Sequence, residues 1–268
     1  MSTVKKRIYI GIAAVLFAAL LSLEVFQKSI FTSEAYGQNL YVILSRALGG
    51  VVCILFILAF STKSVLLPKL SIKTFLIFLP CMAVAINNFP FIAVFSGKAS
   101  IDSSPSVIAV YALSQLAVGF FEEMAFRGCI FTVVLQRCKK NRLGAFLAIV
   151  LSSVIFGLIH ALNIFTVFNP GAVILQIGYS FLIGGMCSVI LIKTSNIWYC
   201  VILHAVYNFA GGVVPNCGGG EIWDTPTIIL TAVVAIAVAA YVIISFVRIR
   251  PEDIGYMFNE EQTKIETE

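Results

Sequence analysis

Eight long apolar runs, separated by short polar links, fill this chain. Read by hydropathy they predict membrane-length helices over about Ile8–Leu23, Leu40–Phe60, Thr74–Phe95, Val107–Leu135, Leu143–Leu162, Ala172–Ile192, Ile197–Val214 and Thr227–Val247. The third run carries Asn87, Asn88 and Pro90, which predicts a kink or a break, because proline removes a backbone donor. The fourth is long enough to tilt or to begin in the interface. The runs are solid rather than alternating, which argues against a transmembrane β-barrel. The expected fold class is an all-α polytopic membrane protein with about eight transmembrane helices.

The polar links give the orientation. With the amino terminus placed in the cytoplasm, the inner segments hold Lys5, Lys6, Arg7, Lys63, Lys69, Lys73, Arg137, Lys139, Lys140, Arg142, Lys193, Arg248, Arg250 and Lys264. The outer loops hold only Lys28 and Lys98, while Arg46 and Arg127 fall inside runs. So strong a bias over short loops predicts an even number of spans and both termini in the cytoplasm. The first run follows Lys5, Lys6 and Arg7 as in a signal peptide, but without an A-x-A site it reads as a retained anchor. A short chain without a targeting extension reads as a bacterial cell-membrane protein. Three units are expected: 1–106, the first three helices; 107–214, a core of helices four to seven; and 215–268, the last helix with an acidic cytoplasmic tail.

Composition agrees. Sixty per cent of residues are hydrophobic and 12% charged, with a mean hydropathy of +1.00. A soluble domain carries roughly twice that charge. The net charge of +5 reflects topology, so no nucleic-acid partner is expected; membrane lipid is. The seven cysteines form no C-x-x-C pair and only Cys217 lies in an outer loop, so they read as small apolar fillers.

Ionisable residues inside the runs are few. Of 13 acids, only Glu122 and Glu123 lie within a run, and both histidines, His160 and His204, do so too. A charge at the bilayer centre costs roughly 2.5–3.5 kcal/mol on insertion scales, so such residues are functional by default. Glu123 and Arg127 are i, i+4 on one face and predict an internal ion pair. Glu122 lies about 100° around the helix, free to point into a cavity, with Gly119 leaving room near that face. His204 and Asn208 share a face, as do Phe156 and His160. By helical rise, Glu122 lies about 22 Å from the inner edge, His160 about 27 Å and His204 about 16 Å, so one polar cavity can hold them all. Taken singly, these residues also fit a structural charge network, interhelical hydrogen bonding and a satisfied core histidine.

The residue types narrow the chemistry. All three aspartates (Asp102, Asp224 and Asp253) lie outside the runs, H-E-x-x-H is absent, and the nearest serine string, Gly178-Tyr179-Ser180-Phe181, lacks the closing glycine. No phosphate-binding loop is visible. What remains is glutamate and histidine acting on water: a carboxylate to take its proton, and imidazole and amide groups to hold it or to donate to an oxyanion.

Three strings, in order, then carry a resemblance: Glu122-Glu123-Met124-Ala125-Phe126-Arg127 fits E-E-x-x-x-R, Phe156-Gly157-Leu158-Ile159-His160 fits F-x-x-x-H, and His204-Ala205-Val206-Tyr207-Asn208 fits H-x-x-x-N/D. Over roughly residues 107–214 the chain resembles the CPBP (CAAX protease and bacteriocin-processing, or Abi) family, with its type II CAAX prenyl endopeptidases. The resemblance implies an all-α, eight-helix intramembrane endopeptidase acting on a membrane-associated peptide or protein. It implies Glu122 as catalytic base, His160 beside it on the water, His204 and Asn208 as oxyanion site, and Glu123 and Arg127 in support. Members have been called metalloproteases; His160, His204 and one glutamate could supply a zinc site, but that leaves Asn208 and the glutamate pair less well explained. The favoured expectation is a cofactor-free glutamate mechanism, with zinc as the alternative. Members cleave after a prenylated cysteine or process pheromones and bacteriocins, and some are immunity factors with no known cleavage. A non-enzymatic immunity factor or scaffold is therefore the rival reading, and a proton-coupled transporter the third.

Overall fold

The computed structural model describes residues 3–30, 34–59, 63–67, 70–167 and 169–258. Phe60, Lys69 and the acidic tail from residue 259 onward lie outside the described residues. The helices are α1 (Thr3–Ile30), α2 (Ala35–Ala59), α3 (Ile72–Asn87), α4 (Phe91–Phe95), α5 (Pro105–Glu123), α6 (Thr132–Arg137), α7 (Arg142–Ile159), α8 (Ile164–Val167), α9 (Pro170–Thr194), α10 (Ile197–Cys217), α11 (Thr225–Val247) and α12 (Pro251–Met257).

Polar caps begin the helices, because the first turn leaves backbone N–H groups without partners. Asn141, Asn169, Asn196 and Asp224 each accept a backbone N–H two or three residues on, starting α7, α9, α10 and α11. Pro170 and Pro226 follow two of these caps, where a missing donor costs nothing. Asn87–Pro90 does break the third run: α3 ends at Asn87 and α4 restarts at Phe91.

The chain is an integral membrane protein, all-α apart from one short ribbon. Among the described residues, five helical stretches are long and apolar enough to cross a membrane: Tyr36–Ala59, Arg142–Asn163, Pro170–Thr194, Ile197–Cys217 and Thr225–Val247. Arg7–Leu23 and Ile72–Asn87 are shorter apolar helical stretches. The fourth predicted run divides into α5, a π-helix over Met124–Phe131 and α6. Helical periodicity does not distinguish π from α winding, and π segments occur frequently at functional sites.

The ribbon was not legible as strand. Ala99–Ile101 (β1) pairs antiparallel with Gly218–Gly220 (β2), with Ser100 opposite Gly219. It joins the chain before α5 to the chain after α10, the helices that carry Glu122, Glu123 and His204. Lys98 Nζ donates to Asp224 Oδ2 at 2.6 Å and locks the ribbon to the start of α11. Among the described residues, the main apolar core lies at the opposite end, around Met124, Phe131, Leu135, Ile190–Ile192 and Leu203.

Candidate active site

Close helix approach builds the site. At Gly119 a Cβ would lie 3.0 Å from Ala205 N and 3.1 Å from Val201 O, so glycine is what lets α5 lie against the α10 backbone. One turn later α5 presents its two glutamates to His204. Glu123 and Arg127 form the expected i, i+4 pair, with Arg127 Nη1 donating to Glu123 Oε1 at 2.9 Å and both side chains fully buried. Gly184 on α9 leaves space for the guanidinium: a Cβ there would lie 2.9 Å from Arg127 Nη2.

His204 stands between the acids. Its Nδ1 lies 2.7 Å from Glu123 Oε1 and its Nε2 3.4 Å from Glu122 Oε2. A carboxylate only accepts, so Nδ1–H donates to Glu123 and the ring is held from behind. The spacing anticipated neither contact. Glu123 is therefore tied to two helices, whereas the Glu122 side chain keeps 20% of its surface exposed.

That exposed surface faces a chamber of about 890 Å³. Glu122, His160, His204 and Asn208 all line it, with Gln115 and Tyr179 on its walls. The three residues expected to share a cavity, Glu122, His160 and His204, line one together with Asn208. His160 caps α7, and its Nδ1 donates to the Phe156 carbonyl at 2.8 Å, which in the neutral ring leaves Nε2 as the acceptor. Asn208 lies one turn along α10 from His204, toward the ribbon.

Phe156 ties these groups together. Its buried ring meets His160 edge-on at 5.0 Å and His204 edge-on at 5.7 Å, and carries the Arg127 guanidinium at 4.3 Å. A desolvated cation over an aromatic face is worth about 2 kcal/mol. The sequence placed this phenylalanine on one face with His160, but not against His204 or Arg127. A second, apolar cavity of about 460 Å³ shares Asn88, Tyr179, Ile183 and Tyr207 with the chamber. Tyr179 and Tyr207, with ring centroids 5.9 Å apart, stand at that boundary. Neither tyrosine is distinguishable from core by pattern.

Two cysteines lie beside the polar site. Among the described residues, the one trio of His, Cys, Asp or Glu donors within 4.8 Å of one another is Glu123, Cys187 and Cys200, all buried. Soft thiols beside a carboxylate can hold a borderline divalent metal such as zinc. The trio includes neither histidine, and both nitrogens of His204 already face carboxylates. Glu123 and His204 thus join the cysteines in a Glu/His/Cys cluster of a kind that suits catalysis or metal binding.

Searches of the curated proteins and of the solved structures find no match to the chain. Residues 104–210, by contrast, match the family described as Type II CAAX prenyl endopeptidase Rce1-like. That range contains Glu122, Glu123, Arg127, His160, His204 and Asn208. The stretch from Ser104 to Ala210, which carries all six expected site residues, is thus homologous to the Rce1-like CAAX protease family.

Proposed function

We propose that the chain is an intramembrane endopeptidase that hydrolyses a peptide bond of a membrane-associated peptide or protein with water activated by Glu122. The carrying observation is the convergence of Glu122, His160, His204 and Asn208 on one chamber. Glu122 takes a proton from water as the water oxygen bonds to the peptide carbonyl carbon. His160 Nε2 accepts from the same water and orients it. Asn208, and His204 as the doubly protonated imidazolium through its second N–H at Nε2, donate to the oxygen that becomes negative; one such donor is worth roughly 10²–10³ in rate. As the C–N bond breaks, Glu122 passes its proton to the leaving amine, leaving one new carboxyl and one new amine terminus. Glu123 holds His204, and Arg127 holds Glu123. The mechanism uses no metal. Eight membrane crossings, with both termini cytoplasmic in a bacterial membrane, complete this reading.

Mass spectrometry of products tests it, with the purified chain in lipid discs and a library of membrane-associated peptides. Expected are defined new termini, retained after chelation and metal analysis. A library left intact would overturn the reading.

The rival reading, a non-enzymatic immunity factor or scaffold, draws on a specific observation: Glu123, Arg127 and His204 already form a buried hydrogen-bonded network that ties α5 to α10, as a purely structural role also needs. If Glu122→Gln keeps the full cellular phenotype of a wild type that cleaves nothing, the rival is correct.

A further inference from the structure

The chamber has a direction, and the charges at the two ends of the molecule give that direction a side of the membrane. On α5 its lining runs from Tyr111 to Glu122, on α9 from Ala172 to Ile183, and on α10 from His204 to Asn216. In every case this is the part of the helix nearer the β1–β2 ribbon. Trp223, just past β2, belongs to the lining and is exposed. Glu122 lies 17 residues into α5, so the chamber descends about 26 Å from the ribbon end before it meets the acid. Beyond Glu122 the interior closes: Glu123, Arg127, Met124 and Phe131 are fully buried.

The closed end is the basic end. Arg137, Lys139, Lys140 and Arg142 join α6 to α7, Lys193 ends α9, and Arg248 and Arg250 follow α11; among the described residues that follow α11, Glu252 and Asp253 are the acids, and Asp253 is paired with Lys193. The ribbon end holds Lys98 against Asp102, Glu221 and Asp224, and Lys98 is already paired with Asp224. Basic residues in short loops stay on the cytoplasmic side, where the translocation machinery leaves them. We infer that the chamber opens on the exoplasmic side of the membrane, so that its substrates are peptide segments presented from outside the cytoplasm. A cytoplasmic C-terminus would meet the basic, closed end instead. The orientation stands on charge and geometry alone, whereas the substrate statement rests on the peptidase reading.

Thiol accessibility in cells tests the orientation with the full chain. Gln115→Cys reports from the chamber wall, Asn216→Cys from its exposed mouth and Lys139→Cys from the closed end, each in a Cys138→Ala background. The probe is a small membrane-impermeant methanethiosulfonate. Gln115→Cys and Asn216→Cys should react in intact cells, and Lys139→Cys only after permeabilisation. Asn216→Cys keeps the test open if Gln115→Cys fails to fold. Lys139→Cys reacting in intact cells, with the other two silent until permeabilisation, overturns the inference. The same chain in sealed vesicles of each orientation, given an added peptide library, should cleave only when right side out. Cleavage confined to inside-out vesicles overturns the substrate statement. Outward labelling with no cleavage in either orientation overturns the peptidase reading and leaves the orientation standing.

Discussion

His204 Nδ1 lies 2.7 Å from Glu123 Oε1, and that oxygen also receives the Arg127 guanidinium at 2.9 Å. One buried oxygen thus couples α10 to α5 and to the π-helical segment that follows. The three residues form a chain of restraint behind Glu122, whose own side chain lines the chamber. Two adjacent glutamates on one helix therefore sit in opposite environments, one locked and one accessible.

Removing one partner of the buried pair should be costly. Arg127→Met leaves the buried Glu123 carboxylate held by His204 alone, at a cost of up to about 3–5 kcal/mol. Arg127→Met combined with Glu123→Gln should be less destabilised than Arg127→Met alone, because the buried carboxylate is gone. Thermal unfolding of the single and double variants in one lipid or detergent checks this, and equal losses would contradict it.

Glu123 is a positioning residue, so its effect on turnover should differ in kind from that of Glu122. Glu123→Gln keeps an acceptor near His204 but weakens its hold on the ring. The expected result is a lowered kcat with little change in KM. A large rise in KM with kcat unchanged would place Glu123 in substrate binding instead.

Gly119→Val should separate α5 from α10. The new side chain meets backbone atoms of Val201 and Ala205, which cannot rotate away. Glu122 and Glu123 would move together, relative to His204. Both thermal stability and turnover should fall, whereas the same change at Gly178, where a Cβ meets nothing within 4 Å, should cost much less stability. Matching losses at the two positions would contradict the close-approach argument.

The clasp between ribbon and α11 should depend on pH. Hydrogen bonding from Lys98, then from Thr227, holds the Asp224 carboxyl down at about 2, below its ordinary 3.8. Its contribution is complete above the ordinary value and is lost as pH falls from 3.8 through about 2. The Lys98 ammonium is pushed above its ordinary 10.5, chiefly by the same bond. That half of the clasp is lost as pH rises past 10.5. Asp224→Asn should therefore flatten the acid limb of a stability–pH curve measured between pH 2 and 5. A variant curve parallel to wild type would show that the clasp contributes nothing there.

Charge was the most legible feature of the sequence. Burial in apolar runs singled out Glu122, Glu123, Arg127 and both histidines, and i, i+4 spacing anticipated the Glu123–Arg127 bond. The break after Asn87 followed from proline and paired amides. What escaped was set by tertiary contact. A π-helix over Met124–Phe131 has the same apolar content as an α-helix. Gly218–Gly220 becomes a strand only because Ala99–Ile101 lies beside it. The approach of Cys187 and Cys200 to Glu123 depends on how α9 and α10 pack, which no periodicity in either helix encodes.

The most direct measurement compares the wild type and Glu122→Gln for peptide hydrolysis in ¹⁸O-labelled water, using purified, correctly folded protein. The account predicts one labelled oxygen in the new carboxyl terminus for the wild type. It predicts at least about a 10²-fold loss of rate for Glu122→Gln, the low end of what a positioned general base supplies. Undiminished hydrolysis by Glu122→Gln would contradict the assignment of this glutamate as the base.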